Sequence, residues 1–396
     1  LFQAVVSLAN RNEAVDLVTV TEELRQKNQL EDVGGVPYLT SLVNAVPTAA
    51  NVEFYARIVE EKALLRGLIQ TATEIVNQGY EGAEEVEKII DQAEQAIFNV
   101  AQRRTTRGYT LLKDTLNEAF EKIEKIFESK GGVTGIPTGY SDFDRYTAGL
   151  QPSDLIILAA RPSMGKTTFA LNIAQYAAVE MRIPTVIFSL EMSKEQLAMK
   201  LLCAEAGVDN QRIRTGALTD ADWPRLSRAL GRLSEARMYI DDTPGVSVME
   251  VRAKARRIKA EEGLGLVIID YLQLMQGRAK AESRQQEVSE ISRGLKALAR
   301  ELSVPIIALS QLSRAVEQRT VKIPTLADLR ESGSLEQDAD IVLFLYRDDY
   351  YNPETEKKNI TELIIAKHRN GPLGSVEFFF QKDCSKFVGM ERFRKP

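Results

Sequence analysis

The chain has 396 residues, 44% of them hydrophobic and 27% charged, and a formal net charge of −5. That profile belongs to a soluble protein of about two or three domains. It contains one histidine, His368, and two cysteines, Cys203 and Cys384, so Cys/His-rich metal sites are close to excluded. A Ser-His-Asp or Cys-His arrangement has only His368 to run through. Chemistry therefore falls to carboxylates, Lys, Arg and backbone amides.

Two widely spaced cysteines do not make a disulfide framework, which points to a reducing compartment. Apolar runs such as Leu155–Ala160 fall far short of the ~18 residues of a membrane span, and no signal-peptide pattern opens the chain. The chain starts at Leu1 without an initiating Met, in what reads as mid-helix, so an N-terminal truncation is expected. The net charge argues against a uniformly basic surface but not against a local basic channel.

Residues 1–102 read as an all-helical domain. Segments 1–9, 21–27, 38–43 and 51–77 carry apolar residues at helical spacing, with Thr21 as an N-cap and Gly34-Gly35 as a break. Segment 84–103 is a further amphipathic helix. No polar constellation here suits chemistry, and the region reads as an interaction or assembly domain. Residues 103–134 read as a linker with a helix at 111–129, whose stripe of Leu112, Leu116, Ala119, Phe120, Ile123 and Phe127 must be buried. It packs either on its own domain or on a neighbouring subunit. From 135 to 396, apolar runs at 154–159, 184–190, 237–241, 265–270, 304–310 and 340–346 alternate with helical stretches such as 166–180 and 284–302. The expected fold class is α/β, with a mostly parallel central sheet covered by helices.

The first of these strands runs into Ala160-Arg161-Pro162-Ser163-Met164-Gly165-Lys166-Thr167-Thr168 and then an apolar helix. This is the phosphate-binding pattern G-x-x-x-x-G-K-[ST], with Ala160 in place of the first glycine. Residues 161–168 are thus expected to bind ATP. Backbone amides cradle the phosphates, Lys166 neutralises β- and γ-oxygens, and the Thr167 hydroxyl ligates Mg²⁺. Gly165 is expected because a Cβ would crowd the phosphate. Asp270 ends the buried strand Leu266–Asp270, where an acid can hold Mg²⁺. Tyr271 follows it, so the water-activating group is sought elsewhere. Glu191 ends the strand 186–190, expected to neighbour the phosphate-binding strand; it also reads as a helix-start acid before Ser193. Gln311 ends the strand from Ile306 and is expected to sense the γ-phosphate.

Together with Thr138-Gly139-Tyr140-Ser141-Asp142-Phe143-Asp144, Phe188-Ser189-Leu190-Glu191-Met192, Ile269-Asp270-Tyr271-Leu272-Gln273, Ser310-Gln311-Leu312-Ser313-Arg314, Arg330-Glu331-Ser332-Gly333 and Lys367-His368-Arg369-Asn370-Gly371, the chain resembles bacterial replicative DNA helicases of the DnaB family. The resemblance covers nearly the whole chain, although that family has further residues before the position of Leu1. It implies a RecA-like ATPase working as a homohexameric ring around single-stranded DNA, moving 5′ to 3′ on ATP hydrolysis, with a primase and a helicase loader as partners and no membrane. It places the protein in the cytoplasm at the nucleoid, with an organelle stroma equally compatible. Residues 361–381 read as a hairpin, in which alternation turns Lys367 and Arg369 to one face and His368 to the other. The resemblance makes those two cations fingers for a neighbouring subunit's γ-phosphate. It also places Arg330, Glu331 and Gly333 in a channel loop that grips DNA phosphates, where the residues alone read equally as an ordinary turn. The polar stretch 277–284 is a second channel candidate. Other readings of the same residues are a RecA-like recombinase or clock-type ATPase, and a scaffold that binds ATP only to assemble.

Overall fold

The computed structural model describes residues 1–11, 13–45, 52–82, 133–277 and 283–390, with scattered positions between 86 and 124. The helices expected at 84–103 and 111–129 and most of the stretch 277–284 lie outside the described residues, as do the side chains of residues 52, 53 and 330–333. The chain divides into two compact units, Leu1–Ala119 and Phe120–Pro396.

The first unit contains α1 (Phe2–Asn10), α2 (Leu17–Gln26), α3 (Gly35–Ala45) and the long α4 (Val52–Glu81). Ala4, Leu8, Val20, Leu24 and Leu39 form its core. Helix α2 starts one turn earlier than expected. Asp16 accepts from the amides of Val18 and Thr19, while Thr19 Oγ1 accepts from the Asp16 amide, so both caps are reciprocal. Thr21 lies inside the helix and donates its hydroxyl to the Leu17 carbonyl. Among the described residues no helix is long and apolar enough to cross a membrane.

The second unit runs α5 (Ser141–Thr147), β1 (Leu155–Ala160), α6 (Lys166–Gln175), β2 (Thr185–Ser189), α7 (Lys194–Ala206), α8 (Asn210–Thr215), α9 (Asp222–Ser234), β3 (Met238–Asp241), α10 (Val248–Glu262), β4 (Leu266–Asp270), α11 (Arg284–Leu302), β5 (Ile306–Gln311), α12 (Gly333–Asp338), β6 (Ile341–Tyr346), α13 (Asp348–Tyr351), β7 (Ile360–His368), β8 (Gly374–Gln381) and β9 (Lys386–Gly389). One sheet holds all nine strands in the order β3-β2-β4-β5-β1-β6-β7-β8-β9. Strands β1 to β6 pair in parallel, and β7 to β9 extend the sheet antiparallel. Alternation along β1 feeds two cores. Ile156, Leu158 and Ala160 face the side of α6, while Leu155, Ile157 and Ala159 face the side of α11. Burial on both faces explains why these strands read as unbroken apolar runs.

Charge gathers at the N-terminal ends of β1 and β6. Asp340 accepts from the Leu155 amide at 2.8 Å and pairs with Lys296, which also donates to the Ser153 carbonyl. Burial, reinforced by the nearby Asp340, pushes the Asp154 carboxyl up to about 6. Folding thus raises this pKa above 3.8, so the stability it confers is complete below 3.8 and is lost as pH rises through about 6. Asp154→Asn is therefore expected to raise the melting temperature near pH 8 by roughly 3–8 °C, and to leave it unchanged below about pH 4. Differential scanning calorimetry at the two pH values checks this. An equal gain at both would remove the titration as its cause.

Candidate nucleotide-binding site

The turn between β1 and α6 places Gly165 at φ 95° and Ser163 at φ 66°. A side chain at Gly165 is excluded by this left-handed backbone and by its neighbour, since a Cβ there would stand 2.8 Å from the Phe387 ring. The crowding group is thus an aromatic of β9 rather than a phosphate alone. Phe387 belongs to a cluster with Phe169, Phe378 and Phe380 that packs under the start of α6. The carbonyl of Ser163 accepts from Arg347, which is buried in a two-point pair with Asp349. The turn is therefore braced from both β9 and the end of β6.

Thr167 Oγ1 donates to Asp270 Oδ2 at 2.6 Å, and Lys166 Nζ lies 3.9 Å from Asp270 Oδ1. Oδ1 is buried without a hydrogen-bond partner. Asp270 thus presents an unused acceptor beside the Thr167 hydroxyl, an oxygen pair suited to a hard cation. Among the described residues no three His, Cys, Asp or Glu side chains form a metal cage, so such a cation takes its other oxygens from water and phosphate. Lys166 sits over the Tyr271 ring at 4.6 Å. Burial lowers its pKa, against the opposing pull of Asp270 and Glu191.

Glu191 does not follow a strand adjacent to β1. Strand β2 pairs with β3 and β4, and both β4 and β5 separate it from β1. Single-strand periodicity carries no information on sheet order, which is where the expectation failed. The residue still comes close, because the Leu190 amide donates to the Asp270 carbonyl and Glu191, exposed, exerts its charge on Lys166. Gln311 is the nearer of the two by topology, since β5 pairs directly with β1 and sets Gln311 opposite Ala160.

Several neighbours carry roles that the sequence did not assign them. Gln273 donates to Ser310 Oγ at 2.9 Å and accepts from the Gln311 amide, tying the loop after β4 to the end of β5. It stands three residues after Asp270, and that closeness to the strand-ending acid was the available signal. Lys200 on α7 feels both Asp270 and Glu191, and burial lowers its pKa; no local pattern marks it. Arg161 is turned away from the turn's interior. Its guanidinium donates to Glu317 at 2.9 Å and to the Leu312 carbonyl at 2.8 Å, so it links the turn to the segment after Gln311.

Lys367 and Arg369 lie elsewhere. Lys367 donates to the carbonyls of Glu336 and Ala339, and Arg369 to that of Gln337, so both close the C-terminal end of α12. A bulge between Val342 and Leu343 leaves Ala366 as an extra residue just before Lys367, and bulges re-aim the chain beyond them. His368 packs at the turn beside Gly371. The segment holding Arg330, Glu331 and Gly333 is helical rather than an open loop, a 3₁₀ stretch Leu326–Ser332 running into α12. The side chains of these three residues are outside the described set.

A phosphate-binding turn on a central parallel strand, an acid at the end of β4 and a polar sensor at the end of β5 define a RecA-like nucleotide-hydrolysing domain. Residues 135–389 match the family described as DnaB-like helicase C terminal domain, and residues 1–61 match DnaB-like helicase N terminal domain. The chain is 58% identical over 393 residues to replicative DNA helicase DnaC of Bacillus subtilis (strain 168), and equally so to replicative DNA helicase DnaB of Geobacillus stearothermophilus. Each alignment covers 99% of this chain and 87% of the relative. A solved structure of a DnaB-like replicative helicase, described together with its interactions with primase, matches with a TM-score of 0.78 and 38% identity, over 96% of this chain and 89% of that one. The chain belongs to the DnaB family of replicative DNA helicases, and its activity is that of an ATP-dependent DNA helicase.

Lys166→Ala is expected to weaken ATP binding by about 10- to 100-fold, the loss of a charge-assisted contact. Arg161→Ala should change it by less than about threefold, because that side chain is spent on Glu317 and Leu312. Titration calorimetry with a non-hydrolysed analogue distinguishes them, and equal losses would put the Arg161 guanidinium on the phosphates.

Proposed function

We propose that the chain works as a ring of six copies that draws single-stranded DNA through its centre in the 5′-to-3′ direction and so unwinds duplex at the replication fork. The observation that carries the ring is a distance. The phosphate-binding turn follows the C-terminal end of β1, whereas Lys367 and Arg369 stand at the N-terminal end of the parallel strands, because β7 returns antiparallel and pairs His368 with Ile341. A strand of six residues spans about 20 Å, farther than either side chain extends. No chain brings these cations to its own phosphates, and a neighbouring copy is the acceptor that remains.

In this reading Lys166 and the turn's amides hold the β- and γ-phosphates of ATP, while Thr167 and Asp270 hold Mg²⁺. The ion neutralises phosphate charge as it develops. Glu191 orients and deprotonates the attacking water. Gln311 senses the γ-phosphate and, through the segment linked to Arg161, passes its presence toward Leu326–Ser332. Arg330, with the backbone around Glu331 and Gly333, grips DNA phosphates, which carry no sequence information and suit a motor indifferent to sequence. Direction of travel rests on family membership. A primase partner is supported by the solved DnaB-like relative, which is described with its interactions with primase. A loader and a place in the cytoplasm at the nucleoid follow from the replicative role.

Forked-duplex unwinding with ATP and Mg²⁺ tests the function, and its absence in an intact ring would overturn it. Glu191→Gln is expected to bind ATP normally and lose turnover by at least about 100-fold; near-normal turnover would remove Glu191 from the role. Arg369→Ala should lose roughly 10³-fold or more. Mixing it with Lys166→Ala subunits should restore partial turnover, since some interfaces then pair an intact turn with an intact cation. Mixed rings as inactive as their parents would refute the shared site.

A further inference from the structure

The cations supplied in trans are held by a carboxylate that has no part in the chemistry described above. Asp340 is 5% exposed and lies between α12 and β6. Its Oδ1 stands 3.7 Å from Arg369 Nε, and its carbonyl accepts from the Arg369 amide at 2.9 Å. The same carboxylate accepts from the Leu155 amide, the first residue of the strand that ends in the phosphate-binding turn, and pairs with Lys296 of α11. Lys367 and one guanidinium nitrogen of Arg369 donate to the last carbonyls of α12, which directly continues the Leu326–Ser332 stretch.

We infer that Asp340 is the positioning residue for the trans-acting cations. It fixes the Arg369 backbone and guanidinium against the rigid start of β1 and against α12, so that the cation offered to a neighbouring copy's phosphate and the segment next to the DNA-gripping residues move as one body. The inference deepens the reading of Lys367 and Arg369 as cations supplied to a neighbour and rests on it. Three features point to positioning rather than mere packing. Asp340 holds Arg369 at two points, its own main chain and its side chain. Lys296 supplies a second cation, so the buried carboxylate stays paired whichever way the guanidinium swings. The C-terminal carbonyls of α12 are satisfied by the same two side chains that must reach outward, which makes the state of that helix depend on where the cations are.

The test separates a role in trans from a role in the chain's own strand, because Asp340 touches both Arg369 and Leu155. Full-length Asp340→Asn is assembled with Mg²⁺ and assayed for ATP turnover on oligothymidylate, alone and mixed with Lys166→Ala subunits. The expected result is a fall in kcat of about 10- to 100-fold with KM within about twofold, part of the ~10³–10⁵ that a finger supplies. Mixing should restore turnover well above the average of the two parents, since Lys166→Ala subunits lend a correctly held Arg369. In combination with Arg369→Ala, the Asn substitution should add less than about threefold further loss. An unchanged kcat, no recovery on mixing, or multiplying losses in the double variant would overturn the assignment. If Asp340→Asn melts far below the wild type, Asp340→Glu takes its place, since it keeps the charge but displaces the carboxylate, and the same recovery is required of it. Failure of the underlying reading looks different: Arg369→Ala itself would then turn over normally or fail to complement Lys166→Ala, whatever Asp340 does.

Discussion

Strand β1 has two ends, and each does a different thing. Its C-terminal end delivers the chain into a tight turn with two left-handed residues, the proposed phosphate cradle; its N-terminal end is pinned by Asp340 through the Leu155 amide. Parallel neighbours put every other strand tip of the catalytic set at the first end, with Asp270 on β4 and Gln311 on β5. The antiparallel extension through β7 puts Lys367 and Arg369 at the second. Because a strand does not bend back on itself, one chain cannot join the two ends. On the proposed reading, a second copy supplies the cation that the sheet keeps away from the chain's own turn.

The site's electrostatics agree with that incompleteness. Lys166 is the cation within 4 Å of Asp270, and its burial beside Tyr271 disfavours its own charge. Asp270 keeps one buried oxygen without a hydrogen bond. In the proposed reading a triphosphate with its metal would satisfy both, while Lys367 and Arg369 lie across the sheet on the α12 carbonyls. Braces at Ser163 and Arg161 fix the turn to the end of β6 and to the segment after β5 through hydrogen bonds between packed elements.

Local patterns in the sequence carried β1 to β8 and the turn after β1, because buried strands and glycine-lysine turns are written within a few adjacent positions. What escaped is what depends on distant partners. Glu191 was set beside β1 although β4 and β5 intervene, since strand order is decided by crossovers and not by any single strand. Thr21 looked like a helix start until the Asp16–Thr19 cap extended α2 backwards. Gly165 was read against phosphate, while the ring of Phe387, more than two hundred positions away, also forbids a side chain there. Asp340 and Lys296 gave no signal at all, as one merely precedes an apolar run and the other sits within a helix, and only the fold joins them, with Arg369, at one carboxylate.

The single-copy insufficiency of the site is the central claim, and turnover per chain measured against oligomeric state tests it most directly. Stopped-flow hydrolysis across a dilution series, with mass photometry on the same samples, should show turnover vanishing as rings dissociate while labelled nucleotide still binds the separated subunits. Undiminished hydrolysis by monomers would contradict it.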